Sequence, residues 1–297
     1  MENVVVRNFW PKDDITKKFI VNLVEKCTPK EKKSVITSVF TGTTLIQKTI
    51  ETLKLKYGKT LNLETQQRRL YNLLNPSSEK NVLNIWYSGE NLRPPSETHW
   101  DAILSFEKDD LNRRNIYLPF WATTFGVTIE EANRYQELLL QPRTGVGRRN
   151  FFACAVIGNP EPSRMYCIHK LQELGEIGLY GKIFNRSIKD KFSILQNYTF
   201  NICFENDLYP GYVTEKIFES WAAGCIPIWW GLDPEGFINK EAIIDFADMG
   251  FEKGISRIKE LLANPSQLKQ MQSEPILKKP YDFNALSVRL SEYLSYK

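Results

Sequence analysis

Along nearly the whole chain, apolar runs of strand length alternate with longer runs of helical period. Few other patterns narrow the possible folds as far. In the first half Val4–Phe9, Val35–Phe40, Val82–Tyr87 and Ala102–Phe106 read as strands. Ile15–Cys27, Thr43–Lys56, Glu64–Leu74 and Ile129–Leu140 read as helices. In the second half the expected strands are Phe151–Ile157, Thr199–Phe204, Ile226–Trp230 and Ala242–Asp245. Helical patterns cover Ser163–Leu174, Ile188–Asn197, Thr214–Ala223 (stopped by Gly224), Phe251–Ala263, Pro265–Gln272 and Phe283–Ser295. Parallel strands need a long return connection, most often a helix, so the alternation predicts an α/β protein with mostly parallel sheets. Between the halves, Gln141-Pro-Arg-Thr-Gly-Val-Gly-Arg-Arg-Asn150 has no apolar period and is rich in Gly, Pro and Arg, which marks a domain boundary.

The chain has 297 residues, enough for two domains, and 42% are hydrophobic, enough for a substantial core; disordered and low-complexity classes are excluded. Thirty-nine Lys and Arg against 35 Asp and Glu leave a net charge of +4, too little to argue for nucleic acid and suited to a small anionic ligand. The apolar run near Trp221–Trp230 is far short of the ~20 residues of a membrane span, and Met1-Glu2-Asn3 does not open a signal peptide. Five cysteines with no Cys-x-x-Cys read as reduced core thiols of a cytoplasmic protein. There is no G-x-G-x-x-G, no Walker A loop and no H-E-x-x-H, which argues against a dinucleotide-dependent oxidoreductase. With no Asp-x-Asp and only two histidines, His99 and His169, no dedicated metal site is expected.

The densest chemistry lies in Phe200–Ile217, Phe-Asn-Ile-Cys-Phe-Glu-Asn-Asp-Leu-Tyr-Pro-Gly-Tyr-Val-Thr-Glu-Lys-Ile, continued to Gly231. It reads as strand, polar loop, helix and second strand. Ligands of open α/β sheets bind beyond the carboxyl ends of strands, where Glu205–Tyr212 falls. Thr214 is placed to cap the helix, with Glu215 and Lys216 in its first turn. Lys216 and the helix start suit a phosphate, and Glu215 suits the hydroxyl pair of a ribose. The same residues also fit an ordinary helix start, with Glu215 offsetting the dipole and Lys216 solvated.

This segment, with its Gly224-Cys-Ile-Pro-Ile-Trp-Trp-Gly231 strand, resembles the signature of the α1,3/4-fucosyltransferases, glycosyltransferase family ten. Trp86-Tyr-Ser-Gly-Glu-Asn-Leu-Arg-Pro-Pro95, Trp100–Phe106, Tyr117–Trp121, Arg149–Pro160 with Arg164, Gly181–Asn185 and Tyr198–Ile202 are similar to further segments of that family. The similarity runs over about residues 82–231 and more weakly to about 275. It implies a GT-B fold of two Rossmann-like domains facing across a cleft: 1–145 on the acceptor side, 150–275 binding the nucleotide sugar, and a C-terminal helix in 276–297 returning to the first. It implies an inverting transfer of L-fucose from GDP-β-L-fucose to an acceptor glycan or glycoconjugate, usually α1,3 to GlcNAc. Matched by position, Glu90 falls on the general base. Arg164 and Lys216 fall on diphosphate ligands, Asn206, Tyr212 and Asn159 on donor contacts, and Glu215 on the ribose carboxylate. An inverting transfer needs one carboxylate to take the acceptor proton and positive charge for the departing diphosphate. No cofactor is then obligatory, with Mn²⁺ at most stimulatory. No nucleic-acid partner is expected, and membrane association is at most peripheral.

Residues 10–80 match nothing in the family, Asp207 stands where it often has Ser or Thr, and Leu232–Glu241 is short. The C-terminal Cys-x-x-Cys of animal relatives and the heptads of some bacterial tails are absent. These departures favour a compact bacterial or viral enzyme with an unusual acceptor. The alternatives are a GT-B enzyme using another nucleotide sugar, and a non-catalytic carbohydrate-binding relative.

Overall fold

The computed structural model describes residues 3–9, 14–38, 76–89, 91, 93–95, 99–158 and 160–295. The expected helices at Thr43–Lys56 and Glu64–Leu74, and residues Glu90 and Asn159, lie outside the described residues. The chain divides into two compact units, Met1–Tyr135 with Asp282–Lys297, and Gln136–Tyr281.

The first unit carries a sheet in the order β1-β2-β3-β4-β5, all parallel: β1 Val4–Arg7, β2 Lys33–Ser38, β3 Val82–Tyr87, β4 Ala102–Ser105 and β5 Asn115–Tyr117. Every residue of β3 is buried, as in a sheet covered on both faces. The helix α1, Asp14–Cys27, packs against the helix at the other end of the chain, with the Phe19 and Phe283 ring centroids 5.5 Å apart.

The helix α2, Ile129–Leu139, straddles the division. Its last turn is held in the second unit by Gln136, whose side chain exchanges two hydrogen bonds with the Tyr281 backbone at 2.9 and 3.1 Å. The Leu139 carbonyl likewise accepts from Leu277 N at 3.1 Å. The division therefore falls after Tyr135, upstream of Gln141–Asn150.

The second unit contains β6 Phe151–Val156, α3 Pro162–Leu171, β7 Ile177–Tyr180, α4 Lys191–Leu195, β8 Tyr198–Ile202, α5 Lys216–Ala222, β9 Ile226–Trp229 and β10 Ile244–Asp245. These are followed by α6 Phe246–Met249, α7 Phe251–Ala263 and α8 Pro265–Ser273, and α9, Phe283–Ser295, ends the chain in the first unit. The five strands are parallel in the order β10-β9-β8-β6-β7. Alternate residues face opposite sides. Ala153, Ala155, Phe200, Ile202, Ile226 and Ile228 join a core with Cys167, Leu171, Ile258 and Leu268, while Cys154 and Cys225 pack with Leu195 on the other side. A proline inside a central strand is unusual. Here Ile226 and Ile228 flank Pro227 in the pairing with β8, and β10 pairs only Ile228 and Trp229, so no ladder bond needs the missing N–H.

Both sheets are parallel and helix-flanked as expected. The short strands β5 and β7 carry too few residues to show a period and are additions to the sequence reading. The helix expected over Ile188–Asn197 contracts to Lys191–Leu195 because Asp190 caps it, accepting from Ser193 N at 3.2 Å. After β7 the chain turns at Gly181, where φ is +105° and an added Cβ would lie 2.1 Å from the Ile157 carbonyl oxygen. Only glycine fits there.

Candidate active site

From β6 the chain first steps outward to β7, then returns to the other side of β6 as β8. The reversal opens a crevice beyond the carboxyl ends of β6 and β8, the position where doubly wound sheets bind ligands. A cavity of about 380 Å³ occupies it. It is lined by Val156 and Gly158 from the end of β6, by Asn201–Phe204 and Asn206 from β8 and its loop, and by Arg164, Lys191 and Lys216 from the three helices α3, α4 and α5.

Arg164 enters from the first turn of α3. Pro162 opens that helix and Glu161 caps it, its side chain accepting from Arg164 N at 3.0 Å. The Arg164 side chain is buried and reaches the loop after β8, donating from one guanidinium nitrogen to the carbonyls of Phe204 at 2.7 Å and Glu205 at 3.2 Å, and to Asn206 Oδ1 at 3.3 Å. Burial pulls its pKa below the usual arginine value, while Glu161 and Glu205 oppose that shift.

Glu205 is fully buried behind the lining residues and is the hub of a hydrogen-bond cluster that holds Lys216. Its carboxylate accepts from Thr214 N at 2.9 Å, Thr214 Oγ1 at 2.8 Å, Lys216 Nζ at 3.1 Å and Trp229 Nε1 at 3.4 Å. Lys216 Nζ also donates to Thr214 Oγ1 at 2.9 Å. Burial works against the Lys216 charge, but the Coulomb attraction of Glu205, with Glu215, Tyr212 and the hydrogen bond to Glu205, raises its pKa above the ordinary lysine value.

The structure brings Arg164, Asn206 and Lys216 into one cavity. Tyr212 is buried and is not among the lining residues. Glu215 is half-buried at the start of α5 and is not among the lining residues. The expected cap needs correction. The helix begins at Lys216 with Glu215 at the N-cap position, and no side chain caps it. Thr214 is drawn instead into the bonds with Glu205 and Lys216. Sequence reasoning assigned no role to Glu205 or Lys191. A carboxylate directly after a buried strand, needing a cation for company, is the signal that points to Glu205; Lys191 carries no such signal. Among the described residues no cluster of three or more His, Cys, Asp or Glu is placed to hold a metal ion, and no helix is long and apolar enough to cross a membrane.

The cavity therefore offers cations and amide groups at the switch point of a parallel sheet, and no carboxylate is among its lining residues. Such a site takes an anionic ligand, of which a phosphate ester is the commonest kind.

Residues 147–271 match the model of glycosyltransferase family 10 (fucosyltransferase), C-terminal part. An α-(1,3)-fucosyltransferase of Helicobacter pylori is 27% identical over 223 residues, which is 62% of this chain and 45% of that protein. The human 4-galactosyl-N-acetylglucosaminide 3-α-L-fucosyltransferase 9 is 32% identical over 90 residues, 29% of this chain and 25% of that one. The matched part of the chain thus spans less than half the length of either relative. In three dimensions a crystal structure of an α1,3-fucosyltransferase covers 98% of this chain and 88% of that one, with a TM-score of 0.64 at 20% identity. A structure described as α1,3-fucosyltransferase with GDP-fucose covers 99% and 90%, with a TM-score of 0.65. The chain accordingly has the two-sheet GT-B type fold of the α1,3-fucosyltransferase structures, and its residues 147–271 are similar to the C-terminal part of glycosyltransferase family 10.

Proposed function

We propose that this protein is an inverting α1,3-fucosyltransferase that moves L-fucose from GDP-β-L-fucose to a hydroxyl of an acceptor glycan, α1,3 to GlcNAc. The observation that carries the reading is the cationic cavity at the ends of β6 and β8, inside the segment that matches the family. In this reading Arg164 and Lys216 hold the diphosphate and take up the charge that grows on it as the glycosidic bond breaks. Asn206 and Tyr212 contact the donor beside them, and Glu215 receives the ribose hydroxyls. Asn159 and Glu90 are assigned on the resemblance alone. Glu90 acts as general base, removing the proton from the acceptor hydroxyl as its oxygen attacks the anomeric carbon from the face opposite GDP. The two cations supply the charge that a metal ion supplies elsewhere, so the reaction needs no metal, and Mn²⁺ only stimulates it by screening. The five buried free thiols support a reducing, cytoplasmic setting.

The test is transfer from GDP-fucose to a glycan array, read by mass spectrometry, with and without excess chelator. A fucosylated product that persists in chelator is expected. Transfer only from another nucleotide sugar would give the reading over to a different GT-B activity. GDP release with no glycosylated acceptor would make the protein a hydrolase or a non-transferring relative, and loss of activity that only a metal restores would overturn the metal-free assignment.

A further inference from the structure

The cations of the cavity differ in what holds them. Lys216 answers a carboxylate with no exposure to water, and moving its charge toward a ligand would strand that carboxylate in the interior. Arg164 is pinned to the backbone of the loop after β8. Lys191 is bound differently. It stands on the short helix α4 and lines the same cavity. Among the described residues its partner is Glu219 on α5, at 2.5 Å, a carboxylate with 45% of its side chain in solvent. Glu219 loses little when Lys191 leaves it, because water replaces the lysine. Of these cations, Lys191 is the one that can change partner at low cost.

The lining also includes Asn201, which is buried in β8 and whose Oδ1 accepts from the Cys154 thiol at 3.6 Å. The lining thus carries three cationic side chains and no acidic one, the complement of a phosphate oxygen.

We propose that Lys191 is a third anion-binding residue of this cavity, and that it exchanges Glu219 for a phosphate oxygen of the entering ligand. The proposal rests on the donor-site reading above for the identity of the ligand, but not for its charge. Glu219 then acts as a surface tether that positions Lys191 in the unliganded protein and competes with the ligand for it.

The test is calorimetric titration of the full chain and its variants with inorganic pyrophosphate, GDP and guanosine. With Lys191→Ala, affinity for pyrophosphate and GDP should fall about tenfold, the size of one charge-assisted hydrogen bond. Lys191→Arg should restore most of it. Glu219→Gln should tighten both ligands by about two- to fivefold, in line with the small worth of an exposed ion pair. Guanosine binding should not respond to either substitution. Melting curves of the variants check that each is folded. Wild-type affinity for pyrophosphate in Lys191→Ala would overturn the proposal, as would failure of the wild-type chain to bind pyrophosphate. Equal weakening by Glu219→Gln and Lys191→Ala would also overturn it, because an intact pair would then be the requirement. Lys191-dependent binding of pyrophosphate in a protein that transfers no fucose would leave the proposal standing and remove the donor reading instead.

Discussion

Glu205 spends both carboxylate oxygens inside the protein, on Thr214, Lys216 and Trp229, so Lys216 is as much its counter-ion as a ligand for anything in the cavity. Lys216→Met should therefore cost about 3–5 kcal/mol of stability, the usual cost of breaking one side of a buried pair. The pH dependence follows from the direction of the shift. A lysine raised by its partner contributes its full stability below the unfolded value of about 10.4, and loses it only as pH climbs through the higher folded value. Urea unfolding should thus show the same gap between wild type and variant at about pH 7 and about pH 9; a gap that closes by the higher pH contradicts the assignment. Arg164→Ala removes the guanidinium that bonds to Asn206, and its GDP affinity should fall by about ten- to a hundredfold by calorimetry. Glu90→Gln keeps shape and removes the proton acceptor, so transfer should fall by about 10²–10⁴-fold with GDP affinity nearly unchanged. A variant that keeps more than about a tenth of the turnover would pass the role of base to another carboxylate. At this scale the sequence pointed to Lys216 through its place at a helix start beyond a buried strand, and to Arg164 and Asn206 through likeness to a family. Arg164 is an ordinary helix-start residue until β8 and its loop are placed beside it, and Lys191 is an ordinary surface lysine until α4 turns it inward.

Elements were far more legible than residues, because period and punctuation act locally. The helices α1, α2, α7, α8 and α9 lie within a residue or two of where apolar spacing, Gly and Pro put them. What escaped were segments whose shape is set by distant partners. The strand β7 is only Ile-Gly-Leu-Tyr and exists through pairing with β6. The start of α5 moved because Thr214 bonds to a carboxylate on another element. The turn after β7 gives an element-scale prediction. Gly181→Ala forces a side chain into a left-handed backbone position against the Ile157 carbonyl, and should cost at least about 1–3 kcal/mol by urea denaturation. A variant as stable as wild type would show that β7 and its turn move freely of β6.

At the scale of the molecule, the first unit is assembled from both ends of the chain and the second from one continuous middle stretch, Gln136–Tyr281. The helix α9 buries Phe283, Leu286, Leu290 and Leu294 in the first unit. Truncation after Asp282 should therefore expose that unit to limited proteolysis while a fragment near residues 136–281 stays protected; uniform degradation, or full protection of both, would contradict this. The periodicity revealed both sheets; the return of the last helix to the first unit was expected from the family resemblance, since no local pattern records where a helix docks. The arrangement also sets an order of events at the ribosome. The middle unit is complete in sequence and can fold as soon as it clears the exit tunnel. The first unit, although begun earlier, must wait for α9 with part of its apolar surface uncovered. At about 5–20 residues per second that wait lasts many seconds, long enough for a chaperone to hold a half-finished N-terminal unit beside a finished neighbour.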